Sequence, residues 1–504
     1  MWMKRAWLIA SLTVVPALAS AQQKADEDEL SEEPEGDAPS GDESAEAEEA
    51  PPTPPPAPPA PPPPALAAPP PSPFVFTLKG QIAATMYVQD VPFASGNGNS
   101  TIFSPFKLVA DKWLLGGDIR QSRLTFTMRG PAVLGTAIPT GVVEFDLGGG
   151  NQITTVPGAI ASAPVRDAMG NVIGTAAVPV ATSSAQGDES LLPRLRVAYV
   201  ELNWGMGTNI LRVGQFHNLL LPMIAASASH TGTPLGYGAG QLGWRSPGIT
   251  YLHRHAFNED TYLDIGVQMN RNSWLDNLPS CTTAMLPPTN PGCMPYGVSF
   301  GEASMLPQFE ARVLLSGGKA ESPWLLYAPN VWQVYAVGHW DRKDVSGVGN
   351  VAPPGILDVL DTLVAEVGFK LKLGPVLVAG NGWIGKNSGN VYGNLLQMQQ
   401  VNYGDVSGMG GWGQLGFSIS RLFSVWAFGG IDKPNFDDLV AARLTRVQNI
   451  QLSGMFAYTE GPLVIGLEYL YIQTKSNDYT SMPGFVTTTG ASGSQIATTL
   501  AYSF

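Results

Sequence analysis

The sequence predicts an all-β protein: a transmembrane antiparallel β-barrel of about sixteen strands, preceded by a disordered N-terminal extension. Three observations predict it. From residue 74 onward, stretches of about ten residues alternate apolar and polar side chains, with Gly, Pro, Asn and Asp clusters between them. After the first residues, no run of about 18 apolar residues occurs, and mean hydropathy is close to zero, so helical spans are excluded. The chain nonetheless opens with an export leader. For an exported chain that belongs in a membrane, a closed barrel is the remaining way to satisfy every backbone group without water.

The leader is explicit. Lys4 and Arg5 precede an apolar run over residues 6–19, and Ala19-Ser20-Ala21 supplies a small-residue cleavage pattern. The run is too short to span a bilayer and an acidic stretch follows at once, so residues 1–21 are expected to be a secretory signal peptide. Residues 22–50 hold 13 acidic side chains and a single base, Lys24, whereas 51–73 are mostly Pro and Ala. The first segment has too little apolar surface to fold, and the second favours an extended polyproline II spacer. Residues 22–73 are therefore expected to form a disordered periplasmic linker, either simply solvated or holding a partner or the cell wall at a distance. The net charge of −13 belongs to this linker: without it and the leader, 28 acids face 25 bases. No net-basic domain remains, which argues against nucleic acid as a partner.

The barrel proper is expected over residues 74–504. Candidate strands fall near 74–89, 118–130, 140–148, 193–204, 208–217, 241–252, 261–270, 304–316, 329–341, 361–373, 374–386, 409–419, 421–431, 446–459, 461–475 and 491–504. The clearest sets Leu363, Ala365, Val367, Phe369, Leu371 and Leu373 against Glu366, Lys370 and Lys372. A charge turned toward the hydrocarbon midplane costs about 2–4 kcal/mol, whereas in a wet lumen it costs little, so the charged faces point inward. Alternation alone would also suit a soluble sandwich with the faces inverted. The leader and the final residues favour the barrel. Connections alternate between short turns and long polar or Gly-rich loops at 90–117, 149–192, 271–303, 342–360, 387–408, 432–445 and 476–490. The stretch 218–240 is apolar at first and then Gly-rich, which suits folding into the lumen against the inner wall.

The last residues place Ile496, Thr498, Leu500, Tyr502 and Phe504 on one face and smaller or polar groups on the other. This pattern resembles the closing strand of bacterial outer-membrane barrels, which implies recognition by the barrel-assembly machinery through Phe504. A second resemblance is carried by Arg194-Leu195-Arg196-Val197-Ala198-Tyr199-Val200-Glu201 followed by Leu211-Arg212-Val213-Gly214-Gln215-Phe216. Phosphate-selective porins show a similar R-x-A-Y-x-E … R-x-G-Q-F pattern. The run Gly240-Gln241-Leu242-Gly243-Trp244-Arg245-Ser246-Pro247-Gly248-Ile249-Thr250-Tyr251 resembles the sixth strand of DcaP-like porins. Leu78-Lys79-Gly80 and Asp118-Ile119-Arg120-Gln121-Ser122-Arg123-Leu124 fit the same family. The resemblance implies a sixteen-stranded homotrimer in the outer membrane, passing dicarboxylates and other small anions. Some DcaP-like proteins carry a coiled coil where this chain has its acidic, Pro-rich stretch.

A pore works through a wet path and fixed charges at its narrowest point. On the inward faces, Arg120, Arg123, Arg129, Arg194, Arg196, Arg212 and Arg245 fall on neighbouring strands of one wall, where they could form a basic ladder. Asp118, Asp264, Glu310 and Glu366 could supply the opposing wall. The plainer alternative is that these groups pair with one another and brace the barrel. Cys281 and Cys293, within one Pro-rich loop, suit a disulfide clip better than a metal site outside the cytoplasm. His253 and His255 share a strand face but have no third ligand nearby, and neither a metal nor a cofactor is expected. No G-x-S-x-G or H-E-x-x-H motif occurs, so an enzyme is not expected. The competing function is a structural or surface-interaction barrel with a blocked lumen.

Overall fold

The computed structural model describes residues 74–93, 98–104, 113–148, 193–272, 300–318, 331–344, 359–397, 405–441, 444–482 and 485–504, with four short strands inside 149–192. The expected leader, the linker and the Cys281–Cys293 pair lie outside the described residues.

Sixteen antiparallel strands form one closed sheet. They are β1 (Val75–Gln89), β2 (Leu114–Asp118 continued by Arg123–Arg129), β3 (Ile138–Asp146), β4 (Arg194–Trp204), β5 (Asn209–His217), β6 (Arg245–Asn258), β7 (Thr261–Asn270) and β8 (Gln308–Gly317). The second half comprises β9 (Trp332–Asp344), β10 (Val359–Leu373), β11 (Val376–Lys386), β12 (Ser407–Ser418), β13 (Phe423–Pro434), β14 (Arg446–Glu460), β15 (Leu463–Met482) and β16 (Phe485–Ser503). Each strand pairs with the next. The seam closes where β16 pairs back onto β1, from Gln81 opposite Ser503 to Gln89 opposite Gln495. Beyond it, Gly80 N–H donates to Phe504 O (2.9 Å) and Phe504 N–H donates to Gly80 O (3.0 Å). The Phe504 ring lies directly on Gly80, where any Cβ would collide with it.

The two faces of the wall follow the alternation. Phe76, Leu78, Ile82 and Met86 of β1, and Leu363, Val367, Phe369 and Leu373 of β10, are exposed on the outside. Thr85, Gln89, Glu366 and Lys370 are buried inside. Exposed Phe74, Phe76, Phe417, Phe423, Tyr502 and Phe504 gather at the end that holds the first and last residues of the barrel, as one aromatic girdle would. Connections at that end are short, for example 205–208, 259–260, 374–375 and 461–462, whereas long loops occupy the other end.

Among the departures from the sequence-based boundaries, three change an element, and the first two have a local cause. The strand expected over 118–130 is interrupted because Arg120 N–H donates to Asp118 Oδ1 (2.7 Å) and Ser122 N–H to Ile119 O (3.0 Å), a side-chain-closed turn. The strand expected from 241 begins at Arg245, since Gly240 and Gly243 are left-handed (φ 102° and 82°) and the residues between them lie in the lumen. The loop expected at 476–490 is a hairpin, with β15 and β16 paired as far as Met482 opposite Phe485.

Candidate functional site

The segment 218–244 folds into the barrel. Its two feet meet, with Asn218 N–H donating to Trp244 O (2.8 Å). Its apolar beginning, with Leu219, Leu220, Met223, Ala225 and Ala226, joins one buried cluster with Leu377, Trp383, Trp412, Trp426, Phe428 and Met455 from the inner wall of β11 to β14. Removing this surface from water drives the loop inward, at about 25 cal/mol per Å². Polar wall groups then fix its path. Glu310 accepts from Leu219 N–H (2.6 Å) and Asn218 Nδ2 (3.0 Å). Gln414 both accepts from Ala226 N–H and donates to Ala226 O, each at 2.7 Å. Glu468 accepts from Ser227 Oγ (2.6 Å) and Ser229 Oγ (2.9 Å), and Gln121 takes Thr231 N–H (2.6 Å) and donates to Ser229 O. Gln451 and Trp383 hold Gly236 and Gly240. Gly240 is required there, because the loop runs against the backbone of Gly411 without room for a Cβ. Below the loop, a cavity of about 160 Å³ remains between Ala226–Ala228 and the strand ends around Ser420–Ser424.

Opposite this filled half, the inner faces of β2 to β6 carry arginines. Arg194 grips Asp146 through two bonds (3.0 and 2.6 Å), and Arg196 bridges Glu144 (2.7 Å) and Asp146 (2.8 Å). Arg212 holds Glu201 (2.7 Å) and lies 4.5 Å from the Tyr199 ring centre. Arg123 reaches Glu144 at 3.5 Å and donates to Thr231 O (3.1 Å). Arg245 differs from these. Its guanidinium sits 4.1 Å over the Trp244 ring, no carboxylate among the described residues lies within ion-pair distance, and its buried Nη1 has no hydrogen-bond partner. Five guanidinium groups thus share three carboxylates.

Trp244 in turn stacks on Tyr392 (5.2 Å between ring centres, 24° between planes), and both rings approach Tyr237 (5.3 and 4.4 Å). Burial pushes the Tyr237 and Tyr392 hydroxyls above the ordinary phenol range, so both stay protonated. Tyr392 itself is left-handed (φ 72°), as are Asn394, Leu395 and Leu396. This tight turn is held where Asp432 accepts from Leu395 N–H (2.9 Å) and Asn390 donates to Asp341 (2.6 Å).

No protein-family model matches the chain, and no curated protein matches it. Solved structures do. The outer-membrane channel DcaP of Acinetobacter baumannii superposes with a TM-score of 0.54 at 14% identity, over 86% of this chain and 97% of that one. An anion-selective porin from Comamonas acidovorans aligns at 0.47 and 11% identity, over 86% and 100%. The chain shares its barrel fold with DcaP.

The remaining sequence-derived site residues are distributed as follows. Asp118 lies 3.5 Å from Arg120 beside the turn in β2, and Arg129 is exposed at the girdle end of that strand. Asp264 is gripped by Arg254 through two bonds (2.6 and 2.8 Å). Glu310 and Glu366 are buried: Glu310 also takes His339 Nδ1 (3.0 Å), and Glu366 accepts from Tyr335 OH (2.6 Å) and Asn381 Nδ2 (2.9 Å). His253 meets Asn209 at 2.9 Å. The structure brings Arg123, Arg194, Arg196, Arg212 and Arg245 together and sets Asp264, Glu310 and Glu366 apart from them. Their carboxylate partners Glu144, Asp146 and Glu201 were missed, although two-residue spacing already puts Glu144 and Asp146 on one face of the expected strand 140–148. Trp244 and Tyr392 could not have been found together, since they meet only through the folded-in loop.

Proposed function

We propose that the protein is an outer-membrane porin, a water-filled channel for passive diffusion of small polar solutes that favours small anions. The observation that carries this reading is the uneven lumen. A folded-in segment packs against one side of the lumen, and across from it the guanidinium groups of β2 to β6 outnumber the carboxylates they pair with among the described residues, which supports a fixed positive field in the pore. The channel fold shared with DcaP supports the porin class, the apolar outer belt supports residence in lipid, and the girdle end belongs to the periplasmic side. Dicarboxylates as the favoured solutes, and a homotrimer as the working form, come from the sequence resemblance. The purified protein in planar bilayers under a salt gradient is expected to show a reversal potential of anion preference. Clear cation preference would remove the charge argument, and failure of small sugars to enter liposomes would favour a blocked barrel instead.

A further inference from the structure

The cavity of about 160 Å³ under the inward segment has no part in the charge argument. Ala226–Ala228 of the segment bound it on one side, and the inner faces of β13 to β16 and the turn between β12 and β13 enclose the rest. Its walls are apolar, with Trp426, Met455 and Ala457 from β13 and β14 and Val464 and Ala501 from β15 and β16. The polar groups beside them are already engaged. Ser424 Oγ accepts from Trp426 Nε1 (3.1 Å), Ser227 Oγ donates to Glu468 (2.6 Å), and Ala228 N–H donates to Met455 Sδ (3.2 Å). Glu468 also takes the hydroxyls of Ser229 and Ser453. An apolar cavity of this size accommodates a body of about six carbons. At the girdle end its character changes. Ser420, Arg421 and Ser503 stand there at the strand ends, and Arg421 is exposed. Among the described residues it is the one charged side chain lining the space, and no carboxylate lies within ion-pair distance of it. Arg123 reaches Thr231 O but does not line the cavity. A hydrocarbon hollow with one unmatched cation at its rim complements an amphiphile with an anionic head, burial acting on the tail and charge setting its orientation.

We propose that this cavity binds a short-chain carboxylate of about six carbons, with the tail against Trp426, Met455 and Ala501 and the carboxylate at Arg421. The ligand is an occupant rather than the permeating solute, so the site stands apart from the porin reading. It is tested by calorimetric titration of the full-length protein in lipid nanodiscs, with empty nanodiscs titrated alongside to remove partitioning into lipid. Hexanoate is expected to bind saturably and about fifteenfold more tightly than butanoate, the value of two buried methylenes. Ala457→Leu and Ala501→Leu, which fill the cavity from β14 and from β16, should each bring that ratio toward parity. Arg421→Gln should weaken hexanoate binding about two- to fivefold, the value of an exposed ion pair. Equal affinity for the two acids, a ratio that survives both filling substitutions, or an affinity untouched by Arg421→Gln overturns the site. None of these outcomes bears on conduction, and cation preference in plain salt, which would remove the porin reading, leaves the site standing. Should the filling variants fail to assemble, the comparison of the two acids in the unaltered protein and the Arg421→Gln titration decide.

Discussion

The two halves of the lumen use the same kinds of side chain for different ends. On β2 to β5, Arg123, Arg212 and Arg194 keep 24, 26 and 34% of their side chains exposed. On β8 and β9, Glu310 and His339 are at 0%, and Glu366, Asp432 and Glu468 are buried with them. The acids of the buried half each answer donors of the wall or of a loop that lies against it. Those of the open half answer arginines and fall short of them in number. On the reading proposed above, residue identity does not separate a selectivity group from a brace; its partners do, because a buried charge matched by what touches it interacts with little else.

The largest test removes what keeps one half dry. The feet of the inward segment already touch, Asn218 to Trp244, so replacing residues 222–241 by a short Gly-Ser linker can close without strain. Single-channel conductance should rise severalfold, and the exposed wall of Trp383, Trp412 and Phe428 should lower thermal stability. Unchanged conductance would mean that the segment does not set the passage.

Next in size is a matched pair of substitutions. Asp146→Asn leaves Arg194 and Arg196 with one fewer negative partner between them, so the reversal potential should move further toward anion preference. Glu366→Gln, at a carboxyl buried against Tyr335 and Asn381 in the other half, should leave the reversal potential where it was. Its cost appears in stability, at about 1–3 kcal/mol for disturbing the Tyr335 and Asn381 bonds. Equal shifts in reversal potential from both would erase the distinction between the halves.

A smaller effect is expected at the tip of the inward segment. Glu468→Leu leaves Ser227 Oγ and Ser453 Oγ without their buried acceptor, at about 1–3 kcal/mol for each orphaned group. The segment should remain in the lumen on its apolar contacts but loosen at Ser227–His230, which single-channel recordings would register as added current noise. A silent trace would show that packing alone holds the tip.

The barrel was legible in the sequence because lipid is an unforgiving solvent. A charge on the wrong face costs kilocalories, so Leu363 to Leu373 had to alternate with Glu366 and Lys370 and the register could be read residue by residue. Of the arginines expected on one wall, Arg123, Arg194, Arg196, Arg212 and Arg245 come together, whereas Arg120 and Arg129 lie at a strand break and at the girdle end. What holds the segment at 218–244 was not legible, because its partners Gln121, Gln414, Gln451 and Glu468 lie between about one hundred and two hundred and fifty residues away. Nothing local in a strand shows that one inward Gln meets water and another a backbone amide. The turn at Asp118 and the break at Gly240 and Gly243 were local in cause, but each sits inside a stretch whose alternation also suits a continuous strand.

The smallest expected effect is the sharpest control on the comparison. Arg254 and Asp264 form a two-bond pair within hydrogen-bond distance (2.6 and 2.8 Å), yet about half of the Arg254 side chain is in water. Exposed pairs of this kind contribute about 0–1 kcal/mol, and this one lies near the girdle end, away from Arg245. Arg254→Gln should therefore change neither stability nor reversal potential measurably, whereas Arg245→Gln, which removes the guanidinium of the β2 to β6 cluster that has no carboxylate within ion-pair distance among the described residues, should reduce the anion preference. If the two substitutions moved the reversal potential equally, the charge that matters would be the total in the lumen rather than the excess at one wall. The division of the lumen into a bracing half and a selecting half would then be wrong.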